Sequence, residues 1–310
     1  MKNSTQKEGG RLRHNFTRRD FLGAAVAGAG LLWSDPNYLL GAEETPSFKG
    51  TDMVTLGKTG IKCTRLAQGT GYNGYNRSSA QTRMGKEKFD RLVRHSLDQG
   101  IRFLDMADLY GSHPFVKDVI KDLPRERFTL LSKIWPTKEN WITPSGGAKE
   151  EVERFCKELG TDHLDVCLIH CMQNGKWADA YERIRDGLSE LKQKGMVRAV
   201  GVSCHDLGAL KVAATHPWTD VIFARINNKG KEAAMDASVE EVTEVLKLAR
   251  KNGKAIVGMK IFGAGALVKP EQKDASLNYV FKNNLVDAIT IGMLKPEEVD
   301  DTLSRMSKIG

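Results

Sequence analysis

Asp105, Tyr110, Lys133 and His170 are residue types that together can move a proton onto or off an oxygen. A tyrosine hydroxyl ordinarily ionises at about pH 10 and alone is a poor acid–base catalyst at neutral pH. A lysine ammonium beside it is expected to favour the phenolate and lower that value. A carboxylate paired with the lysine holds it in place and keeps it charged, and a histidine across the pocket can orient a carbonyl oxygen. Tyr110, Lys133, Asp105 and His170 are therefore the expected catalytic residues, for interconverting a carbonyl and an alcohol. Such a site needs a hydride partner, and a nicotinamide cofactor is the expected supplier.

The elements that must position these residues can be read from periodicity. Short apolar runs fit strands over Arg65–Gly69, Ile101–Asp105, Phe128–Lys133 and Leu164–His170. Four more follow, over Val197–Ser203, Val221–Ile226, Ala255–Lys260 and Ala288–Ile291. Amphipathic runs between them predict helices over Lys86–Gln99, Pro114–Leu123, Ala148–Leu159, Tyr181–Lys194, Leu207–His216, Val239–Asn252 and Gln272–Asn284, with Pro296–Met306 last. Before the first unit, Gly57-Lys58-Thr59-Gly60 joins two short segments as a β-hairpin. Strict alternation demands a parallel sheet with helical crossovers, and eight units in this length predict a single-domain (β/α)8 TIM barrel. An open doubly wound sheet would place a Gly-rich dinucleotide turn and a helix after its first strand. Here Gly69-Thr70-Gly71-Tyr72-Asn73-Gly74 opens a long loop. In a barrel the chemistry sits at the carboxyl ends of the strands, and Asp105, Lys133, His170 and Ser203 occupy four successive ends.

The segment Phe103-Leu104-Asp105-Met106-Ala107-Asp108-Leu109-Tyr110-Gly111 resembles the aldo-keto reductase signature. Leu130–Lys133, Asp165–His170, Ala199–Ser203 and the Leu56–Gly60 hairpin match further segments of that family in order. The resemblance covers roughly residues 50–310. It implies a barrel that binds NADP or NAD without a Rossmann fold, with Tyr110 as general acid–base, Lys133 and Asp105 tuning it, and His170 orienting the carbonyl. It further implies cofactor contacts from Ser203, Cys204, Arg225, Met259, Lys260, Phe262, Gly263, Gly265, Lys295 and Glu298. Several of these depart from the family pattern. Cys204 stands where Asn is usual, Ala224-Arg225-Ile226-Asn227 where Gln is usual, and Gly258-Met259-Lys260 where a Tyr often stacks on nicotinamide. After the last strand, Lys295 is followed by Glu297, Glu298 and Asp301 in place of a Lys-Ser…Arg grip on a 2′-phosphate, which leaves NAD or NADP open. Tyr72, Trp135 and Trp141 fall on the catalytic rim and are the expected substrate contacts, for a small carbonyl or alcohol compound or a sugar derivative. His205 reads as a surface residue, and Cys167 as core packing pointing away from His170. No metal site is expected.

Residues 1–42 read as a signal peptide, 43–50 as a linker and 51–310 as the barrel. A basic stretch, then Thr17-Arg18-Arg19-Asp20-Phe21-Leu22, then an Ala/Gly-rich apolar stretch too short to span a membrane resemble a bacterial twin-arginine export signal. That implies the export machinery as a partner, a periplasmic or exported destination, and no stable membrane span after cleavage. The net charge is +8, of which +3 lies in residues 1–42, so the barrel's excess is dilute and nucleic acid is not an expected partner. Five cysteines are too few for a disulfide scaffold in 310 residues. The whole predicts an NAD(P)-dependent oxidoreductase. The alternative is a non-catalytic barrel that holds a dinucleotide as a sensor or partner subunit.

Overall fold

The computed structural model of the chain describes residues 48–137 and 147–309, all within one unit, Thr45–Gly310. The export signal and Trp141 lie outside the described residues. Eight parallel strands close on themselves: β3 (Leu66–Gly69), β4 (Phe103–Asp105), β5 (Thr129–Ile134), β6 (Leu164–Met172), β7 (Val197–Cys204), β8 (Val221–Arg225), β9 (Ala255–Met259) and β10 (Ala288–Ile291), with β10 paired to both β9 and β3. This is the expected (β/α)8 barrel.

Side-chain alternation along each strand sorts residues to two faces. Ala67, Phe103, Leu131, Val166, Leu168, Ala199, Val221, Phe223, Val257 and Ala288 fill the barrel interior as one apolar cluster. Leu66, Leu104, Leu130, Cys167, Ile169, Val200, Ile222, Ile256 and Ile289 face the helices as another. The same parity carries Asp105, Lys133, His170, Ser203 and Thr290 inward at the carboxyl ends, one step above the interior cluster. Sequence alternation thus builds a floor of hydrocarbon under a ring of polar groups.

The outer ring bears its apolar side inward. In α2 (Lys86–Asp98), Phe89, Leu92, Val93, Ser96 and Leu97 are buried, the spacing of one helix face. The other long helices are α3 (His113–Ile120), α4 (Ala148–Leu159), α6 (Glu182–Gln193), α7 (Leu207–Thr215), α8 (Val239–Lys251), α9 (Pro270–Lys282) and α10 (Pro296–Met306). Two short helices were not expected: α1 (Ala80–Arg83) in the loop after β3, and α5 (Trp177–Ala180), which precedes α6 across Tyr181. Ser238 caps α8 in a capping box with Glu241, and Asp206 caps α7 by accepting from the Ala209 N–H at 2.9 Å. Among the described residues no helix is long and apolar enough to cross a membrane.

The expected hairpin is β1 (Met53–Thr55) and β2 (Lys62–Thr64), antiparallel. Leu56, Ile61 and Cys63 from it join the interior cluster, and the Thr129 hydroxyl donates to the Lys62 carbonyl at 2.8 Å at the start of β5. The hairpin therefore stops the amino-terminal end of the barrel, opposite the polar ring.

Candidate active site

At the carboxyl end lies a cavity of about 680 Å³. Its wall includes Asp105, Tyr110, Lys133 and His170, so the four expected catalytic residues are brought together. Lys133 is fully buried, and its ammonium donates to a carboxylate oxygen of Asp105 and, at 2.8 Å, to the Met106 carbonyl. The other Asp105 oxygen accepts from the Thr290 hydroxyl at 2.8 Å, which spans the barrel seam to fix the carboxylate. Tyr110 ends a 3-10 turn, Asp108–Tyr110, that follows β4. Its hydroxyl lies 3.4 Å from His170 Nε2, and the Lys133 ammonium stands 5.0 Å from the centroid of its ring.

Two glycines of the loop after β3 shape the seat of that ring. A Cβ on Gly71 would fall 2.2 Å from the Tyr110 ring, and one on Gly74 would fall 2.5 Å from it. Bare backbone is what lets the loop pack flat on the tyrosine. From behind, Asp108 accepts from Arg77 at 2.6 Å and from Arg154 at 2.8 Å. Glu158 accepts from the same two arginines and from His113, whose other ring nitrogen meets the Ser132 hydroxyl at 2.8 Å. This ion network pins the turn that carries Tyr110, and sequence reasoning did not find it. Its members are dispersed over the loop before α1, the turn itself, α3 and α4.

The electrostatics correct one expectation. Burial, with the Asp105 charge and Cys171 adding to it, pushes the Tyr110 phenol well above its ordinary value rather than below it. Lys133 spends its charge on Asp105 and is itself lowered by burial. Tyr110 is thus held as a neutral phenol, a proton donor. His170 is driven well below its ordinary value by burial first and then by Lys133, His205 and Lys260, so it is a neutral imidazole. Among the described residues its buried Nδ1 has no hydrogen-bond partner.

Of the expected cofactor residues, Ser203, Met259, Lys260, Phe262, Gly265 and Glu298 line the cavity. Ser203 also accepts the Cys171 N–H at 2.8 Å. Four others do not line it. Cys204 is fully buried in the helix-facing cluster, where strand parity sends the residue after Ser203. Arg225 is held by Asp236 at 3.0 Å and donates to His205 at 2.5 Å. Gly263 and Lys295 lie off the wall, Lys295 as the residue preceding α10. Tyr72 and Trp135 line the cavity as expected for substrate contacts.

His205, expected at the surface, is on the cavity wall, 3.5 Å from the Cys171 sulfur. Cys171 owes its place to a register shift between Ile169 and Met172, where its φ of 62° turns it off the strand's alternation. Burial holds the His205 imidazole down at about 3, with Arg225 and Lys260 adding to it. Burial likewise raises the Cys171 thiol to about 11 against the pull of Arg225, Lys133 and Lys260.

The cavity continues past Phe262, Ala264 and Gly265 to Glu298, Asp301 and Thr302 on α10. Two cations at that end are already matched: Asp301 takes Lys273 at 3.5 Å and Arg305 at 2.9 Å, and Asp274 takes Arg305 at 2.7 Å. Glu298 is exposed there and accepts the Leu294 N–H at 2.7 Å.

A model of the Aldo/keto reductase family matches residues 66–290. An aldo-keto reductase of Mycobacterium avium is 30% identical over 125 residues, 39% of this chain and 41% of the relative, so the chain spans about two fifths of that protein's length. The NADH-specific methylglyoxal reductase of Escherichia coli is 24% identical over 221 residues, covering 66% of this chain and 63% of that protein. Among solved structures, an aldo-keto reductase of Bacillus halodurans in its holo form has a TM-score of 0.65 at 19% identity, over 82% of this chain and 90% of that one. One from Klebsiella pneumoniae, in complex with NADP and acetate, has a TM-score of 0.61 at 18% identity, over 83% and 90%. These two similarities concern the fold.

Proposed function

The chain belongs to the aldo/keto reductase family, and from that premise we propose that it is a nicotinamide-dependent reductase of small aldehydes or ketones, with Tyr110 as the proton donor. The convergence of the Tyr110 hydroxyl and His170 Nε2, 3.4 Å apart in front of the buried Lys133–Asp105 pair, carries this reading.

The residues present suit a dinucleotide. One continuous cavity runs from the reacting end to α10, and its middle is walled by Ala264 and by Gly265 at a φ of 98°, which leaves backbone bare for close approach. Ser203, Met259, Phe262, Gly265 and Glu298 would hold the cofactor, which when bound supplies the hydride. Glu298, with Lys273 and Arg305 already neutralised, favours a free ribose hydroxyl over a 2′-phosphate and so NADH over NADPH.

The chain's own residues do the rest. The carbonyl oxygen is received between Tyr110 and His170. The neutral phenol donates its proton as charge develops on that oxygen, and the phenolate left behind forms beside the Lys133 ammonium. Asp105 and the Met106 carbonyl hold that ammonium, and neutral His170 orients the substrate oxygen. Tyr72 and Trp135 bound the mouth, and they support a small carbonyl compound or a sugar derivative as substrate. Residues 1–42 support export of the folded chain by the twin-arginine route.

The test is turnover of a small 2-oxoaldehyde such as methylglyoxal with NADH and with NADPH. Tyr110→Phe is expected to lower kcat by about 10²–10⁴-fold, with dinucleotide still bound when followed by fluorescence. Turnover at the original rate in that variant would remove Tyr110 from the mechanism.

A further inference from the structure

Among the described residues, the reacting end of the cavity holds one cation more than its anions match. Lys133 on the wall is paired with Asp105, and Arg225, off the wall, with Asp236. Lys260 lines the same wall, half-buried, and among the described residues it has neither an ion-pair partner nor a side-chain hydrogen bond. Among the described residues no acid on the wall is free to serve it. Asp105 is taken by Lys133 and Thr290, Asp301 by Lys273 and Arg305, and Glu298 lies at the α10 end.

The backbone sends this lysine into the cavity against the strand's alternation. Residue 260 follows the inward Met259 and would otherwise face the helices. Its φ of 59° is left-handed, and the conformation is pinned by its carbonyl, which accepts from the Gly263 N–H at 2.8 Å and from the Asn227 amide at 3.2 Å. Strain of this kind persists only where surrounding structure enforces it, and it gathers at ligand sites. A partly desolvated ammonium with no counter-charge is costly, and an anionic ligand would offset that cost. The charge also stands over the chemistry, since it contributes to keeping His170 neutral and opposes the rise of the Cys171 thiol.

We infer that Lys260 anchors a carboxylate on the substrate itself, so that the preferred substrates are short oxo acids and, in the reverse direction, hydroxy acids. This inference rests on the reductase reading of the same site. The competing source of negative charge is a phosphate of the dinucleotide, and the experiment separates the two.

Pyruvate and methyl pyruvate are compared as substrates with NADH, in the full chain and in Lys260→Met and Lys260→Arg. The binding of oxamate, an unreactive carboxylate of the same shape, is measured by calorimetry without dinucleotide, and NADH affinity by fluorescence. The original chain is expected to favour the acid over its ester at least about tenfold in kcat/KM. Lys260→Met should cut that ratio and the oxamate affinity by a similar factor, while Lys260→Arg retains most of both. An acid-to-ester ratio near one in the original chain, or an unchanged ratio in Lys260→Met, overturns the inference. So does a loss confined to NADH affinity, which would assign the lysine to the cofactor. If neither compound is turned over but oxamate binds in a Lys260-dependent way, the reductase reading falls and the carboxylate site stands.

Discussion

The residues proposed to be catalytic are tuned by burial more than by their charged neighbour. Lysine beside tyrosine leads one to expect a lowered phenol, but the Lys133 charge is matched by Asp105 before it reaches Tyr110. The consequence is a wide pH plateau. His170 loses its proton well below its ordinary value, so its neutral form survives to pH values under about 6.5. Tyr110 keeps its proton beyond about pH 10, so the donor form survives on the alkaline side. The pH profile of kcat/KM for carbonyl reduction should therefore be flat between those limits. A descending limb at about pH 7–9 would show that Lys133 lowers the phenol after all. Asp105, Lys133 and His170 were legible because their types are uncommon at strand ends and parity turns them inward, and Tyr110 because it follows Asp105 by five residues on the loop above the same rim. Cys204 was expected at the cofactor, although the same parity sends it outward into the helix-facing cluster. The pairing of Arg225 was not legible, because its partner Asp236 lies in the following loop and no periodicity relates the two.

At the scale of elements, alternation along strands and the helical period were enough to lay out eight strands and eight helices, and the hairpin before them, with boundaries off by a few residues. They do not reveal where a strand breaks its own rule. The register shift in β6 places Cys171 on the cavity wall, and the left-handed turn after β9 places Lys260 there. Each depends on backbone conformation at one residue. The loop after β3 and the Asp108 turn also act as elements, since together they clasp Tyr110. Gly71→Ala should displace the ring and lower kcat about a hundredfold, as small misplacements of reacting groups do, with little change in dinucleotide affinity. Asp108→Ala removes the buried carboxylate that Arg77 and Arg154 share and leaves them on Glu158, with Glu151 also on Arg154. It should cost about 1–3 kcal/mol of stability, read as a lower denaturant midpoint with an unchanged slope.

At the scale of the whole molecule, all five cysteines are unpaired, four of them buried and Cys171 partly so. That suits the proposed route, in which the chain folds among reduced thiols before export. Replacing both Arg18 and Arg19 with Lys should leave the protein inside the cell with its fold and activity intact, as judged by fractionation and assay. Export of the double variant at the original level would show that the paired arginines are not the address.

The hairpin at the foot of the barrel has a kinetic meaning. With Leu56, Ile61 and Cys63 stopping that end, the described barrel is a vessel with a single mouth, and traffic through it is last in, first out. A long ligand lying along the groove to α10 must settle before a small one arrives above it, and it waits for the small one to go. Oxidised dinucleotide should then compete with the reduced form, whereas the alcohol product should not. Under the proposed export, to a place where fresh cofactor is scarce, such a queue lets one dinucleotide keep its berth while a carbonyl compound oxidises it and an alcohol reduces it in alternate turns.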